Sequence, residues 1–335
     1  MAREKIPHAY LFTGIPGVGK TSTAMALAMA LNCNKPVEGE GCTRCIACRQ
    51  VRSGNSPDFL IIARRPDKKN ILIEQIQEIN RKLGFAPFGR YRVSVVQEAE
   101  TMTAEAANCL LKTLEEPPAG NIIILNAVEP LELLPTIVSR CQRVPFQPLP
   151  LQDMSKWLVQ KEDMDEETAG VLARMSGGSL GRVLKMRESD FEEKRQKWLQ
   201  MILKLPGLSK EKGFQMAMEC ADEAKKIGVL SKDDNRTGAL DMLAVWESWY
   251  RDLLIVKVGG SAHLLINEDF FHMIKSIVEN FTRDGLIDSL MAVDQAARDL
   301  HRRRNISLVM EHVALHLGRL AGGRGARRTG SGLIK

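Results

Sequence analysis

No stretch of this 335-residue sequence approaches the roughly 18 consecutive apolar residues that a membrane-spanning helix requires. The opening residues, MAREKIPHAYLF, lack the continuous apolar core of a secretory signal. A cytoplasmic protein without membrane partners is therefore expected. Charge is not extreme either: the formal net charge is +6, with basic residues gathered at Arg302, Arg303 and Arg304 and again at Arg319, Arg324, Arg327, Arg328 and Lys335. Such a balance permits contact with phosphates without demanding it. No aromatic side chains interleave with these clusters, which speaks against a self-standing nucleic-acid-binding protein. Hydrophobic residues make up 44% and charged residues 26%, the proportions of a folded globular chain, and the length accommodates two or three domains.

Against these absences, residues 14–21 read GIPGVGKT, which matches the phosphate-binding pattern G-x4-G-K-S/T. By average residue usage its four fixed positions arise by chance in roughly one chain in a hundred of this length. The context also fits, because Ala9-Tyr10-Leu11-Phe12-Thr13 reads as a strand and Thr21 to Leu31 as a helix. Gly14, Gly17 and Gly19 let the loop turn its N–H groups toward one point, and the helix N-terminus adds positive potential. Lys20 is placed to reach the β- and γ-phosphates, and Thr21 to offer its hydroxyl to Mg²⁺. Ser22 completes the candidate nucleotide-binding set. The bland alternative is a glycine-rich turn that caps an ordinary helix.

Four of the seven cysteines, Cys33, Cys42, Cys45 and Cys48, fall in the spacing C-x8-C-x2-C-x2-C. In a chain of a reducing compartment such a cluster points to metal rather than disulfides. Four thiolates suit tetrahedral Zn²⁺, and a closed four-ligand set makes that zinc structural. An iron–sulfur cluster, or thiols without metal, are the alternatives. Cys109, Cys141 and Cys220 stand alone and read as small buried residues.

Strand patterns at Tyr10–Thr13, Phe59–Ala63, Arg92–Gln97, Asn121–Ala127 and Arg143–Phe146 alternate with helical patterns at Thr21–Leu31, Ile71–Leu83 and Ala104–Leu114. Alternation of this kind predicts a parallel α/β sheet whose ligand lies at the strand C-terminal ends. After Pro148 and Pro150 only helical patterns remain, with a turn at Gly177-Gly178. In Leu240–Val256, the residues Leu240, Leu243, Trp246, Tyr250 and Leu253 recur at helical spacing and read as packing residues. The expected organisation is a P-loop core over 1–147 that carries the cysteine module at 33–48. A compact helical unit over 148–188, a helical assembly domain over 189–321 and a flexible basic tail over 322–335 complete it.

A P-loop ATPase needs a second acidic element at the end of a neighbouring strand. Val93-Ser94-Val95-Val96 runs into Gln97-Glu98, where an Asp-Glu pair is expected. Glu98 retains the ability to polarise water, whereas neutral Gln97 cannot support a metal shell. Together with HAYLFTGIPGVGKT, the four cysteines, LLKTLEEPP and LLPTIVSRCQ, these features resemble the bacterial clamp-loader ATPases of the AAA+ class from the DNA polymerase III holoenzyme. The resemblance covers essentially the whole chain. Its length, its single helical region after residue 190, WESWYRDLL and RRNISLVMEHVALHL are similar to the delta-prime branch rather than the longer gamma/tau motors.

That resemblance implies a hetero-pentamer with gamma/tau and delta subunits, a sliding clamp and primer–template DNA as partners, and ATP or ADP with Mg²⁺ as ligands. It implies that Asn126 is the polar sensor near the γ-phosphate, where a strand-end cap is the alternative. Ser139-Arg140-Cys141 matches the motif whose arginine reaches a neighbour's ATP, where a surface arginine is the alternative. Gly178 to Arg182 resembles the second sensor, with Arg182 touching nucleotide. Two departures stand out. Gln97 puts catalysis by this chain in question, so the expectation is a subunit that binds nucleotide statically and lends Arg140 to a neighbour. The competing reading is an active gamma/tau-like motor with Glu98 as base. Only seven residues precede His8, so either the start lies upstream of Met1 or the adenine pocket is incomplete.

Overall fold

A computed structural model describes residues 6–65, 68–188, 191–230, 237–302 and 304–320. The expected basic tail, 322–335, and Arg303 lie outside the described residues. The chain divides into two compact units. One holds the chain up to Pro150 together with Gly178–Arg182, and the other holds Leu151–Gly177 and the chain from Val183 onward.

The first unit contains, in chain order, β1 (Ala9–Thr13), α1 (Lys20–Asn32), α2 (Ile46–Arg52), β2 (Phe59–Ile62), α3 (Ile73–Leu83), β3 (Arg92–Val96), α4 (Ala104–Glu115), β4 (Asn121–Ala127), α5 (Pro135–Val138) and β5 (Gln142–Pro145). All strand pairs are parallel, in the order β2-β3-β4-β1-β5. Every residue of β3 and β4 is buried, as a parallel strand covered on both faces requires. The two-residue period of β4 divides the core. Ile122 and Ile124 pack with Phe12, Val93 and Val95 of neighbouring strands and with Ala24 and Ala28 of α1. Ile123 and Leu125 face the other way, toward Ile76 and Leu83 of α3 and Leu110 and Leu114 of α4. The sheet is thus sandwiched between helices.

The strands fall where their apolar runs predict them, to within a residue. The third helix starts at Ile73 rather than Ile71 because Ile71, fully buried, bridges to Met102 through backbone bonds with Thr101 and Thr103. Its hydrophobicity belongs to that bridge and not to a helix face. The short helices α2 and α5 carry too little periodicity to be read from sequence.

The second unit is helical throughout its described residues: α6 (Leu151–Glu162), α7 (Glu166–Met175), α8 (Leu180–Glu188), α9 (Phe191–Lys204), α10 (Lys210–Leu230), α11 (Thr237–Lys257), α12 (Phe271–Ile277), α13 (Arg283–His301) and α14 (Ile306–Leu320). The first residues of α8 group with the first unit. Helix α11 packs against α9, α10, α12 and α13 and buries Leu243, Trp246, Tyr250 and Leu253, with Leu240 half-buried. These residues are core, as their spacing predicts. Trp246 Nε1 donates to the Trp198 carbonyl at 3.1 Å. A buried polar network pins the loop before α12. Arg195, wholly buried, bonds Asp269 and Asn267 at 2.8 Å, while Asp252 accepts from the Asn267 N–H at 2.7 Å and the Ile266 N–H at 3.0 Å. Burial raises the Asp252 carboxyl above its ordinary range, an effect those N–H groups oppose. Among the described residues no helix is long and apolar enough to cross a membrane.

In the first unit, Arg92 and Asp58 form a buried pair at 3.3 Å. Asp58 also accepts from the N–H groups of Phe88 (3.1 Å) and Gly89 (2.6 Å), and Arg92 donates to the carbonyls of Lys82, Phe85 (2.9 Å) and Ala86 (3.2 Å). Removing one member strands a buried charge. Arg92→Ala is therefore expected to lower the stability of this unit by about 3–5 kcal/mol, read as faster hydrogen exchange in peptides covering β3 and β4. Unchanged protection there would contradict the role given to the pair.

Candidate functional site: a phosphate cradle, an exposed arginine and a four-cysteine cluster

The loop between β1 and α1 adopts backbone conformations that its glycines alone tolerate. Gly19, with φ 108°, precedes the first turn of α1, and Gly17 has φ 76°. A side chain at Gly17 would also collide with Ser179 Oγ, because the turn Gly178–Arg182 lies directly on the loop. Ser179 Oγ donates to the Pro16 carbonyl at 2.8 Å, and the Gly181 N–H donates to the Gly17 carbonyl at 2.9 Å. The N–H of Arg182 donates to Ser179 Oγ at 3.2 Å. The expected second-sensor segment is thus brought to the cradle, and the part seen to hold it there is Ser179 and Gly181.

Lys20 turns its ammonium onto the loop itself, donating to the carbonyls of Gly14 and Ile15, the latter at 3.0 Å. Partial burial lowers its affinity for its proton, and the charge of Glu100 partly restores it. Glu100, in the short turn after β3, is raised above the ordinary carboxylate range by burial, with the charges of Glu132 and Glu98 adding to the effect. No motif marks Glu100 in the sequence; folding alone brings its charge within reach of Lys20. Ser22 is exposed on the first turn of α1.

The parallel register places Asn126 beside Phe12, at the end of β4, and Gln97 immediately after β3. Both amides converge on one atom. Asn126 Nδ2 donates to Thr21 Oγ1 at 3.1 Å, and Gln97 Nε2 donates to the same oxygen at 3.4 Å. A hydroxyl oxygen has two acceptor lone pairs, and here two amide N–H groups engage them. Magnesium ligation by Thr21 needs one of those lone pairs and a supporting carboxylate nearby. Gln97 supplies none. Glu98 is exposed, holds a left-handed backbone with φ 49°, and pairs with Arg64 Nε at 2.5 Å. The residue cast as a water-polarising base is therefore engaged by a cation.

Arg140 lies two residues beyond α5 and is partly exposed. Its guanidinium bonds the Glu115 carboxylate at 2.7 Å and the Thr136 carbonyl at 2.9 Å. Cys141, next in sequence, is half-buried, and burial pushes its thiol up to about 11. Cys109 is also half-buried, and Cys220 is buried.

The four clustered cysteines come together as their spacing predicts. Cys33 ends α1, Cys45 caps α2 and Cys48 lies within α2, so two helices position three of the four. All four sulfurs lie within 4.8 Å of one another. Four thiolates about 2.3 Å from one tetrahedral zinc lie about 3.8 Å apart, so the donor set fits that ion. Backbone N–H groups point at the sulfurs: Cys42 N–H to Cys33 Sγ (3.2 Å), Cys45 N–H to Cys42 Sγ (3.4 Å) and Cys48 N–H to Cys45 Sγ (3.5 Å). The Cys48 N–H above all, then that of Asn34, brings the Cys45 thiol down to about 6, whereas burial pushes Cys48 up to about 12. All seven cysteines are free thiols. With four protein ligands the cluster leaves no coordination position for a substrate, so a metal held here is structural.

A parallel sheet with a phosphate loop after its β1 strand, two amides at the ends of β3 and β4, and a following helical unit define a P-loop protein of the AAA+ class. Comparison with known proteins narrows this. The family profile described as "DNA polymerase III, delta subunit" matches residues 1–150. The DNA polymerase III subunit delta' of Bacillus subtilis is 32% identical over 318 residues, spanning 94% of this chain and 92% of that protein. The delta' subunit of Escherichia coli is 33% identical across 58% of this chain and 59% of its own length. The tau subunit of Bacillus subtilis is 35% identical across 56% of this chain but only 34% of its own. The chain belongs to the DNA polymerase III delta' family.

The cysteine cluster makes its own prediction. Metal analysis of the purified chain is expected to give about one zinc per molecule, reduced well below that in Cys45→Ser. Iron in its place, or no metal at all, would contradict the zinc assignment.

Proposed function

We propose that this chain serves in a clamp loader as the subunit that presents Arg140 to the nucleotide of an adjacent ATPase, while its own P-loop holds ATP or ADP without turning it over. In that assembly, with gamma/tau and delta subunits, it helps drive the ATP-dependent placement of a sliding clamp on primed DNA in the bacterial cytoplasm. The observation that carries this reading is the convergence of Gln97 and Asn126 on Thr21, which puts two amides where a hydrolytic site needs a metal and a carboxylate. The Glu98–Arg64 pair supports it.

Arg140 suits the donor role. A planar guanidinium fixed at a surface can place parallel N–H groups on a phosphoryl oxygen as negative charge moves there. Within the cradle, Gly14, Gly17, Gly19, Lys20, Thr21 and Ser22 are assigned to the phosphates, Asn126 to the sensing of the γ-phosphate and Arg182 to the nucleotide's far side. Cys33, Cys42, Cys45 and Cys48 hold a structural zinc. Residues 148–188 act as the lid and 189–321 as the collar that joins the ring.

The reading as a gamma/tau-like motor draws on the intact P-loop and on the similarity to tau. It requires Glu98 to leave Arg64 and act as base, and Thr21 to release an amide and take Mg²⁺.

Two substitutions separate these readings. Arg140→Ala is expected to lower the steady-state ATPase rate of the reconstituted loader by roughly threefold or more while the isolated chain keeps its far-ultraviolet circular dichroism. An unchanged rate would remove the donor role. Lys20→Ala in the same loader is expected to leave the rate within about twofold of wild type; loss of most of the activity would favour the motor.

A further inference from the structure

We propose that Glu115 is the positioning residue for Arg140: its carboxylate holds the guanidinium in the orientation from which it reaches the neighbour's phosphates. This rests on the donor role proposed for Arg140. Glu115 is the last residue of α4 and Glu116 its cap, after which Pro117-Pro118 stops the helix. A carboxylate there faces the negative end of the helix dipole and does nothing for the helix that carries it. Its partner explains it. The Glu115 Oε1–Arg140 Nη2 distance is 2.7 Å, while Arg140 Nη1 donates to the Thr136 carbonyl at 2.9 Å and lies 3.5 Å from Ser139 Oγ.

Both anchors stand on rigid ground. Helix α4 packs Ala106, Leu110 and Leu114 into the core, and α5 packs Ile137, fully buried, into the same cluster. Backbone bonds then carry the rigidity from α5 to the arginine: Ser139 N–H to Pro135 O (3.0 Å) and Arg140 N–H to Ile137 O (3.1 Å). The guanidinium is held from two sides, by a carboxylate and by a carbonyl. A guanidinium has five N–H donors, so others remain for a phosphoryl group. The side chain is one-third exposed, so without Glu115 it samples its many rotamers in solvent. Glu115 also leaves the finger its full positive charge, because an ion pair does not neutralise an arginine by proton transfer.

The test is a double-mutant cycle in the reconstituted loader, with Glu115→Gln, Arg140→Ala and the double variant. Glu115→Gln keeps size and polarity but loses the charge that fixes the guanidinium. It is expected to lower kcat for ATP roughly fivefold while leaving KM for ATP and the amount of assembled complex unchanged. In the Arg140→Ala background the same substitution is expected to have no further effect. A wild-type or raised kcat in Glu115→Gln, or an equal loss with and without Arg140, would overturn the proposal. A wild-type rate in Arg140→Ala would instead overturn the donor role itself, so the two failures are distinct.

Discussion

The hydroxyl of Thr21 is the point on which the functional logic of this chain turns. In a hydrolytic P-loop the same oxygen offers a lone pair to magnesium, and a carboxylate at the end of the neighbouring strand stabilises the metal shell. Here two primary amides close on it at 3.1 and 3.4 Å. Amide and hydroxyl satisfy one another without charge, so the corner beneath the phosphates is self-sufficient. It needs no cation to hold Thr21 in place, and neither amide is an anionic ligand for one. The N–H groups of the loop and of the α1 terminus are untouched by this change. On the function proposed above, a cradle that keeps its donors and gives up its metal corner holds phosphate without activating water.

Much of this was legible in sequence, and the limits have physical reasons. The runs VSVV and NIIIL announced strands buried on both faces, and GIPGVGKT announced the turn between β1 and α1. The cysteine spacing foretold four sulfurs within 4.8 Å, because two short x2 steps and a helix start leave little freedom. Gln97 stood out as a departure for its lack of charge. That its amide would share Thr21 with Asn126 depends on the parallel register between β1 and β4, which local pattern does not encode. Glu98 read as a base because motif position says nothing of a salt bridge to Arg64, 34 residues earlier. Glu115 acquired its partner, Arg140, only through folding.

The two units use different means to the same end. In the first, charged pairs such as Asp58–Arg92 and Glu115–Arg140 tie loops to the rims of an apolar sheet. In the second, a wholly buried arginine and an aspartate secure one long connection inside a helical bundle rich in tryptophan. The buried groups among these, Asp58–Arg92 and Arg195, contribute little net stability, yet removing one partner strands a charge.

The central claim, a phosphate cradle without a metal corner, is tested most directly by the magnesium dependence of nucleotide binding. Calorimetric titration of the purified chain with ATP, with and without Mg²⁺, is predicted to give dissociation constants within about threefold of each other, and Gln97→Asp to make magnesium strengthen binding by about tenfold. A wild-type chain whose affinity for ATP already rises tenfold or more with magnesium would contradict the account.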